Sequence, residues 1–234
     1  MFSYETMIAF FNTFIERKYY MTLLSGIQET LLMTAIATVI GLIIGIFVAI
    51  IQVSEFPRKL KWLEKILKGI AKLYVDIIRG TPAIVQVSFI WLVVLADVVM
   101  ARPVVGGISF GINSGAYMAE LIRAGIQGID KGQMEAGRSL GLSYFQTMKL
   151  IIIPQAFRQM LPALVSEFIV LIKETAVIGM IGGRDIMRAG NIMMSDTGSF
   201  IWPILIVTIT YLVLTSTFTM IMRVIEKRMN KDRF

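Results

Sequence analysis

Residues 128–158, GIDKGQMEAGRSLGLSYFQTMKLIIIPQAFR, form a polar interruption between two apolar stretches of the chain. The chain has 234 residues, of which 56% are hydrophobic, and its mean hydropathy is +0.73. This composition is too apolar for an ordinary soluble domain and is typical of a protein that crosses a membrane several times. A polar segment of this length, held on one side of a membrane, predicts a surface that docks a partner.

The pattern within this segment predicts two short helices joined by a glycine elbow. Asp130, with a glutamine three positions later, has the spacing of a capping box and predicts a helix that includes residues 135–140. Gly141 is suited to a left-handed ending of that helix. Ser143 is suited to cap a second helix, which Pro154 stops or bends into the next apolar stretch.

Five apolar stretches are long enough, or nearly so, to cross a bilayer as helices: 31–51, 80–96, 103–119, 161–181 and 197–222. A spanning helix needs about 20 residues, and these runs are too long and continuous for barrel strands. The predicted fold class is therefore an all-α membrane protein with about five transmembrane helices, and residues 128–158 connect the third to the fourth. One domain covers 1–234: residues 1–21 form an outer interfacial segment, 22–225 the membrane domain and 226–234 a tail.

Basic residues are distributed unevenly between the two ends of these stretches. Residues 54–80, 123–160 and 223–234 carry 7, 5 and 5 basic side chains, whereas the opposite ends carry 5 in total. The positive-inside rule places the rich side in the cytoplasm, so the N-terminus is expected outside and the C-terminus inside. The net charge of +7 therefore indicates topology and contact with lipid headgroups, and no nucleic-acid partner is expected.

The composition also limits the chemistry that the chain can perform. It contains neither cysteine nor histidine, which excludes thiol nucleophiles, Cys/His zinc sites and histidine acid–base catalysis. It also lacks the G-x-x-x-x-G-K-[ST] loop that cradles ATP. The chain therefore cannot itself cradle ATP in the usual way.

The segment 128–158 resembles the cytoplasmic loop of permease subunits of ATP-binding-cassette importers. That loop follows the pattern E-A-A, three residues, G, nine residues, I, one residue, L-P, and the matching positions here are Glu135, Ala136, Gly141, Ile151 and Pro154. Gly137 replaces the third alanine and Ile153 the leucine. The glycine is expected to loosen its helix by up to about 1 kcal/mol.

The resemblance to these importers implies a coupling function for the loop. In the family the loop forms a coupling helix that sits in a cleft of a separate ATPase subunit, which holds the ATP and magnesium. The resemblance therefore implies that this chain is not an enzyme, binds no metal or cofactor itself, and draws the energy for transport from another chain. Glu135 would pair with a cation on that ATPase, and Gly141 would set the bend.

Further motifs are similar to those of polar amino-acid permeases and extend the resemblance over roughly residues 23–225. They are RGTP at 79–82 with Gln86 beyond it, NSGAYMAE at 113–120, GIQGIDKGQ at 125–133, and LPAL at 161–164 followed by EFI and KET. Ser166, Ala176 and the connection at 97–103 depart from the pattern. This likeness implies a multi-pass protein of the bacterial cytoplasmic membrane, with a second permease subunit, identical or related, an extracytoplasmic solute-binding protein and a polar amino acid as substrate.

Polar side chains within the apolar stretches are the candidate substrate pathway. Intramembrane charges usually face a bundle interior or a water-filled cavity, and an amino acid needs both donors and acceptors along its path. Pro82 is suited to break a helix and free backbone groups to line a cavity. The candidate pathway residues are Thr81, Gln86, Asn113, Tyr117, Glu120, Glu167 and Glu174.

Each of these residues also has a structural interpretation that the sequence leaves open. Glu120 and Arg123 have the spacing of a helix salt bridge, and Lys173 with Glu174 suits an interfacial ion pair. Asn113 and Tyr117 lie one turn apart and suit interhelical hydrogen bonds as well as a ligand. Glycines at four-residue spacing predict close helix packing, either within one subunit or at a dimer seam: Gly41 and Gly45, and Gly107, Gly111 and Gly115.

Three alternatives to an amino-acid importer remain at this stage. An importer of the same architecture would carry another small solute, such as cystine or an opine. An ion-driven secondary carrier would act alone. A membrane anchor for a cytoplasmic enzyme would use the loop without any transport, although the intramembrane charges argue against that.

Overall fold

The computed structural model describes residues 4–231, leaving aside the side chains at 226 and 228–231, and shows helices and connections without a strand in that range. Residues 226–231 of the predicted tail, 226–234, continue the last helix, whereas residues 232–234 lie outside the described range, as do residues 1–3. The α-helices are α1 (Tyr4–Glu16), α2 (Tyr19–Val53), α3 (Lys61–Gly80), α4 (Ala83–Phe89), α5 (Arg102–Gln127), α6 (Lys131–Ser139), α7 (Tyr144–Thr147), α8 (Ile153–Glu174), α9 (Ile186–Thr197) and α10 (Ile201–Lys231). A single π-helical turn follows α4 at Ile90–Val94 and another precedes α8 at Met148–Ile152, and a 3₁₀ segment extends α8 over Thr175–Met180.

The centre of the bundle is the close pair formed by α2 and α5. A Cβ atom added to each of three α5 glycines would lie only 2.5–2.8 Å from an isoleucine of α2. These pairs are Gly107 with Ile36, Gly111 with Ile40, and Gly115 with Ile44. From the other side, Gly41 and Gly45 of α2 meet Ser114 and Met118. The glycine stripes therefore serve packing within one chain.

Apolar side chains from four helices meet beside this pair. Val87 of α4 and Leu171 of α8 are fully buried against α2 and α5 residues, including Met33 and Phe110. Burial of this cluster fixes α4 and α8 against the central pair.

The predicted second apolar stretch, 80–96, begins at a break between two helices. α3 ends at Gly80, Pro82 precedes α4, and the two segments meet at a bend of 110°. Because proline lacks an N–H and disfavours a helical residue before it, the break at this point has a direct cause in the sequence. The predicted break at Pro82 is confirmed.

Two described helices are long and apolar enough to cross a membrane: Tyr19–Val53 and the Ile201–Ile225 part of α10. The bent pair, Arg58–Gly80 with Ala83–Val94, is a third if it forms one span. α5 and α8, with 26 and 22 residues, are long enough but more polar. The count of five spans and their orientation remain predictions.

The residues expected on the outer side gather at one end of the bundle. Arg17 pairs with Asp196 at 3.6 Å, and the Tyr19 hydroxyl donates to the same carboxylate at 2.9 Å. Arg102, Arg184 and Arg188 line one cavity of about 510 Å³ at the α2 N-terminal end. The segment 128–158 follows directly from the other end of α5. The two groups of basic residues are thus separated along the bundle, as the sequence predicts.

Candidate functional site

The break before α4 is bridged by the side chain of Gln86. Its Nε2 donates to the carbonyls of Ile78 at 2.8 Å and Thr81 at 3.0 Å, and also contacts the Thr81 hydroxyl. These carbonyls lost their helical donors where the backbone breaks at Pro82. Gln86 therefore supports the local fold, whatever further role it has.

Asn113 joins this bridge to α5. Its Nδ2 donates to Oε1 of Gln86 at 2.7 Å, and Asn113 is only 1% exposed. The structure thus brings Thr81, Gln86 and Asn113 together in one network between the broken helix and the central pair. In this conformation the network is satisfied by protein groups.

The neighbour of Asn113 points towards a different helix. The Ser114 hydroxyl lies 3.4 Å from Oε1 of Glu167 on α8. Glu174 stands seven residues after Glu167, so it lies two turns along on the same face of α8. Both glutamates are half-buried. They form a row of carboxylates inside the bundle.

Glu120 lies closer to the end of α5 that leads into the loop. Arg123 donates to both of its carboxylate oxygens, from Nε at 2.9 Å and from Nη2 at 2.7 Å, and Arg79 Nη1 lies at 3.5 Å. The Arg79 guanidinium also stacks 5.7 Å from the centre of the Tyr117 ring. The helix salt bridge anticipated for Glu120 is present, and Tyr117 belongs to this cluster and not to the Asn113 network.

The ion pair anticipated between Lys173 and Glu174 is not formed. Salt bridges among the side chains that the structure describes do not include either residue. Lys173 is exposed and Glu174 is half-buried. The predicted pathway residues therefore fall into three groups: the Gln86 network, the Glu120 cluster and the α8 carboxylates.

The loop adopts the two predicted helices with an elbow between them. Gly141 has φ +85°, a left-handed conformation that glycine adopts without strain. Ser143 and Gln146 form a complete capping box at the start of α7. Asp130 caps α6 by accepting from Gly132 N at 2.6 Å, but the predicted box with Gln133 is absent.

The chain stays helical through Pro154, so the expectation that this residue stops the second helix is wrong, while a bend there stays a prediction. Its missing N–H falls where the π-helical turn meets α8. The π-helical turn Met148–Ile152, which includes Ile151, connects α7 to α8 without a gap. α7, the π-helical turn and α8 consequently form one continuous helical segment, which begins at Tyr144 just after the elbow and carries Glu167.

Gly137 has a packing function that the sequence did not indicate. It is buried, and an added Cβ would lie 2.6 Å from Cγ2 of Thr147 and 3.2 Å from Cδ1 of Ile151. The absence of a side chain lets α6 approach the second helix closely. This corrects the expectation that Gly137 only loosens the helix.

The outward face of the loop combines charge with unusual apolar exposure. Glu135 and Ala136 are exposed on α6, while Leu140 is 81% and Phe145 72% exposed. Burial, and secondarily the nearby Glu55 carboxylate, raises the pKa of Tyr144. Large apolar side chains left in solvent indicate an interaction surface when they adjoin a rigid scaffold.

Asp185 is an organising residue that the sequence analysis missed. It is 1% exposed, caps α9 by accepting from Met187 N at 3.1 Å and Arg188 N at 2.8 Å, and lies 3.3 Å from the Tyr211 hydroxyl. A carboxylate directly before an apolar helical run is a recognisable capping signal. Among the described residues there is no group of three or more His, Cys, Asp or Glu side chains arranged for a metal.

Comparison with known proteins places this architecture. Residues 41–231 match the family described as binding-protein-dependent transport system inner membrane component. The chain belongs to this family. As a member of this family with apolar helices, it is a membrane-embedded transport subunit, and its family is one of permeases and not of enzymes.

Curated relatives of this transport component cover nearly its whole length. A putative glutamine transport system permease of Rickettsia prowazekii is 39% identical over 91% of this chain and 96% of its own. An arginine transport system permease of Bacillus subtilis is 34% identical over 90% and 93%.

Solved structures agree with this placement. One of an amino acid ATP-binding-cassette transporter with histidines has a TM-score of 0.80 and 39% identity, covering 91% of this chain and 96% of that one. The inward-facing MetNI methionine transporter, at 19% identity and a TM-score of 0.75, shares the fold.

Proposed function

We propose that this chain is the pathway subunit of an ATP-driven importer of polar amino acids. The observation that carries the proposal is the continuity of α8 with the elbow. The same helical segment begins at the docking surface of the loop and, after the π-helical turn, carries Glu167 and Glu174 into the bundle. A push on the elbow therefore reaches the carboxylate row through one element.

The coupling loop is the proposed contact with the motor. Glu135, Ala136, Gly141, Ile151 and Pro154 mark its family pattern, and the exposed Leu140 and Phe145 supply apolar anchors for a cleft in an ATPase subunit. ATP and magnesium are bound by that separate subunit, and this chain binds no cofactor. The charge distribution supports a cytoplasmic loop and C-terminus in a bacterial cytoplasmic membrane.

The proposed pathway is shared between two permease subunits. The α8 carboxylates of one chain provide acceptors for the ammonium of an amino acid, and Ser114 adds a hydroxyl beside them. Thr81, Gln86 and Asn113 line the break in span two, and Tyr117 with Glu120 follows towards the loop. A solute-binding protein delivers substrate at the opposite end of a single membrane domain, 22–225, flanked by the outer segment 1–21 and the tail 226–234.

The names of the relatives favour glutamine or arginine as the substrate class. Glutamine and arginine are the solutes named for the relatives' own transport systems. Both solutes carry an ammonium group, which the carboxylates of α8 can accept. Cystine and opines, which also carry charged amino and carboxyl groups, are the competing cargoes within the same architecture.

Uptake by the reconstituted complex tests the function. We expect ATP-dependent accumulation of labelled glutamine or arginine in proteoliposomes that contain the permease, its ATPase and its binding protein. Glu167→Gln removes a charge-assisted contact worth about 1.5–3 kcal/mol, so we expect about a tenfold or larger rise in the concentration needed for half-maximal uptake. Ser166→Ala is the matched control, since its hydroxyl bonds only to the Pro162 carbonyl.

Two outcomes contradict the proposal. Gradient-driven uptake by the chain alone assigns it to the secondary carriers. Uptake of other solutes with no transport of amino acids rejects the substrate class while leaving the architecture intact.

A further inference from the structure

The helix α3 has three distinct faces, of which one is apolar and buried within the chain. Ala71, Val75 and Ile78 are buried against α2 and α5, where they meet Val48 and Ala116. α3 meets α4 at a bend of 110°, so its axis departs from that of the segment that follows. Its two remaining faces lie at the end of the bundle that carries the coupling loop.

The second face is an exposed apolar stripe. Its members follow each other at helical spacing and are 50–64% exposed: Trp62, Ile66, Ile70, Leu73 and Ile77. A helix with one apolar face and one strongly charged face is typical of an element that lies in a membrane interface. The tryptophan at its start suits the boundary between headgroups and hydrocarbon.

The third face adjoins the stripe and borders a cationic cavity of about 430 Å³ between α2, α3 and α5. Four basic side chains line it, Lys68, Lys72, Arg79 and Arg123, against two carboxylates, Asp76 and Glu120.

The cations of this cavity are only partly neutralised. Glu120 is shared by Arg79 and Arg123, and Lys68 pairs with Glu64 at 2.9 Å. Lys72 has no ion-pair partner among the side chains that the structure describes.

An unsatisfied polar atom marks the α2 wall of the same cavity. Oε1 of Gln52 is buried and has no hydrogen-bond donor within the described part of the chain. Buried polar groups without a partner are uncommon and call for a bound group or water. The cavity thus combines excess positive charge with at least one open hydrogen-bonding position.

We propose that this cavity and the apolar stripe together bind an anionic phospholipid of the leaflet that faces the coupling loop. The lipid phosphate lies beside Lys72 and Lys68, a headgroup hydroxyl donates to Gln52, and an acyl chain follows the stripe from Trp62 towards Ile77. Basic pockets between membrane helices on the cytoplasmic side have the chemistry that holds anionic headgroups. The proposed transport function enters only in naming that leaflet.

A lipid covers both the apolar stripe and the cationic cavity, whereas each competing occupant accounts for only one of them. A free phosphate ion leaves the apolar stripe uncovered. A second copy of this chain that packs through the stripe in a two-fold arrangement brings two rows of lysines together, which is unfavourable.

Fluorescence of Trp62 tests the proposal in the full chain, purified with the subunits that remain bound and placed in nanodiscs. Trp91→Phe and Trp202→Phe leave Trp62 as the single tryptophan of the three. We expect brominated phosphatidylglycerol to quench it more strongly than brominated phosphatidylcholine at equal mole fraction. Native mass spectrometry of the unsubstituted chain measures its preference for phosphatidylglycerol over phosphatidylcholine independently.

Lys68→Gln with Lys72→Gln is the site variant, and we expect the preference to fall about fivefold for each lysine removed. The control, Lys59→Gln with Lys65→Gln, removes the same charge from exposed positions outside the cavity and should retain most of the preference. An equal loss in both variants indicates diffuse surface attraction and overturns the site.

Three further results overturn the proposal. Equal quenching by the two lipids removes the headgroup site, and no quenching by either shows that protein covers the stripe. Loss of the preference on adding soluble glycerol 3-phosphate assigns the cavity to a free anion. None of these measurements depends on uptake, so a failure of the transport assay remains distinguishable.

Discussion

Gln86 shows how far a single residue can be interpreted from sequence. Its position inside an apolar stretch, beyond an R-G-T-P motif, predicts a polar role at membrane depth, and the structure does place it within the bundle. The sequence does not show that its amide spans the break at Pro82, because that depends on the direction in which the helix resumes. The same side chain is therefore a structural brace as well as a candidate pathway residue.

Replacing Gln86 by leucine should destabilise the protein in a specific way. Gln86→Leu leaves the carbonyls of Ile78 and Thr81 without their donor, at a cost of about 1–3 kcal/mol for each group that stays buried. Thermal unfolding of the purified chain in detergent should show a lower Tm. The exposed Gln28→Leu is the control, and an equal Tm for both variants would show that Gln86 is not a brace.

Asp185 is a second case, at the connection between α8 and α9. Burial raises the pKa of this carboxyl to about 6, although the amides of Met187 and Arg188 and the Tyr211 hydroxyl favour its charged form. The folded state therefore takes up a proton at a higher pH than the unfolded chain does. Stability from this group is greatest at low pH and is lost as the pH rises through about 6.

This pH dependence is removed by Asp185→Asn. The variant should lose stability relative to the unsubstituted protein as the pH falls from about 7 to about 4, since only the aspartate gains from protonation in that window. Tm measured across this range gives the difference. A difference between Asp185→Asn and the unsubstituted protein that stays constant across this range would refute the burial of the Asp185 carboxyl.

At the scale of elements, the sequence predicted the turns and helix caps that depend on a few neighbouring residues. Gly141 and Ser143 identify the elbow because a left-handed turn and a capping box have their own residue signatures. The π-helical turn before α8 has no such signature. The glycine stripes predicted close packing, but only the tertiary contacts assign that packing to the α2–α5 pair.

Enlarging one of these glycines tests the packing directly. In Gly111→Ala the new Cβ meets the Ile40 side chain at 2.7 Å, and such overpacking costs about 1–3 kcal/mol. Gly69→Ala, which meets nothing within 4 Å, should instead stabilise α3 by up to about 1 kcal/mol. Unfolding in detergent should separate the two, and adding Ile40→Ala should restore part of the loss in Gly111→Ala. No loss in Gly111→Ala would argue against the α2–α5 contact.

At the scale of the whole molecule, function depends on surfaces that one chain cannot complete. The sequence predicted the family because its motifs extend over most of the chain. The residue roles could not be fixed in the same way, because the Gln86 network, the Glu120 cluster and the α8 carboxylates contain the same residue types and differ only in their partners. The helical segment that ends in α8 links the loop, just after its elbow, to Glu167 in the bundle.

A charge reversal on the elbow should separate the motor from the pathway. In Glu135→Lys, an exposed α6 residue changes its sign while the fold of the chain is unaffected. ATP hydrolysis by the reconstituted complex should persist while amino-acid uptake falls at least about tenfold. Arg138→Gln, an exposed α6 charge that belongs to none of the quoted motifs, is the control, and normal uptake in Glu135→Lys would remove Glu135 from coupling.

The most direct test of the account is physical contact between the elbow and an ATPase subunit. Because the chain has no cysteine, Ser139→Cys provides a single thiol on the exposed side of α6. Treatment of native membranes with a short thiol-reactive cross-linker should join this position to the ATPase chain, and a membrane-impermeant thiol reagent added outside intact cells should leave it unlabelled. Labelling from outside, without any cross-link to an ATPase, would contradict the account.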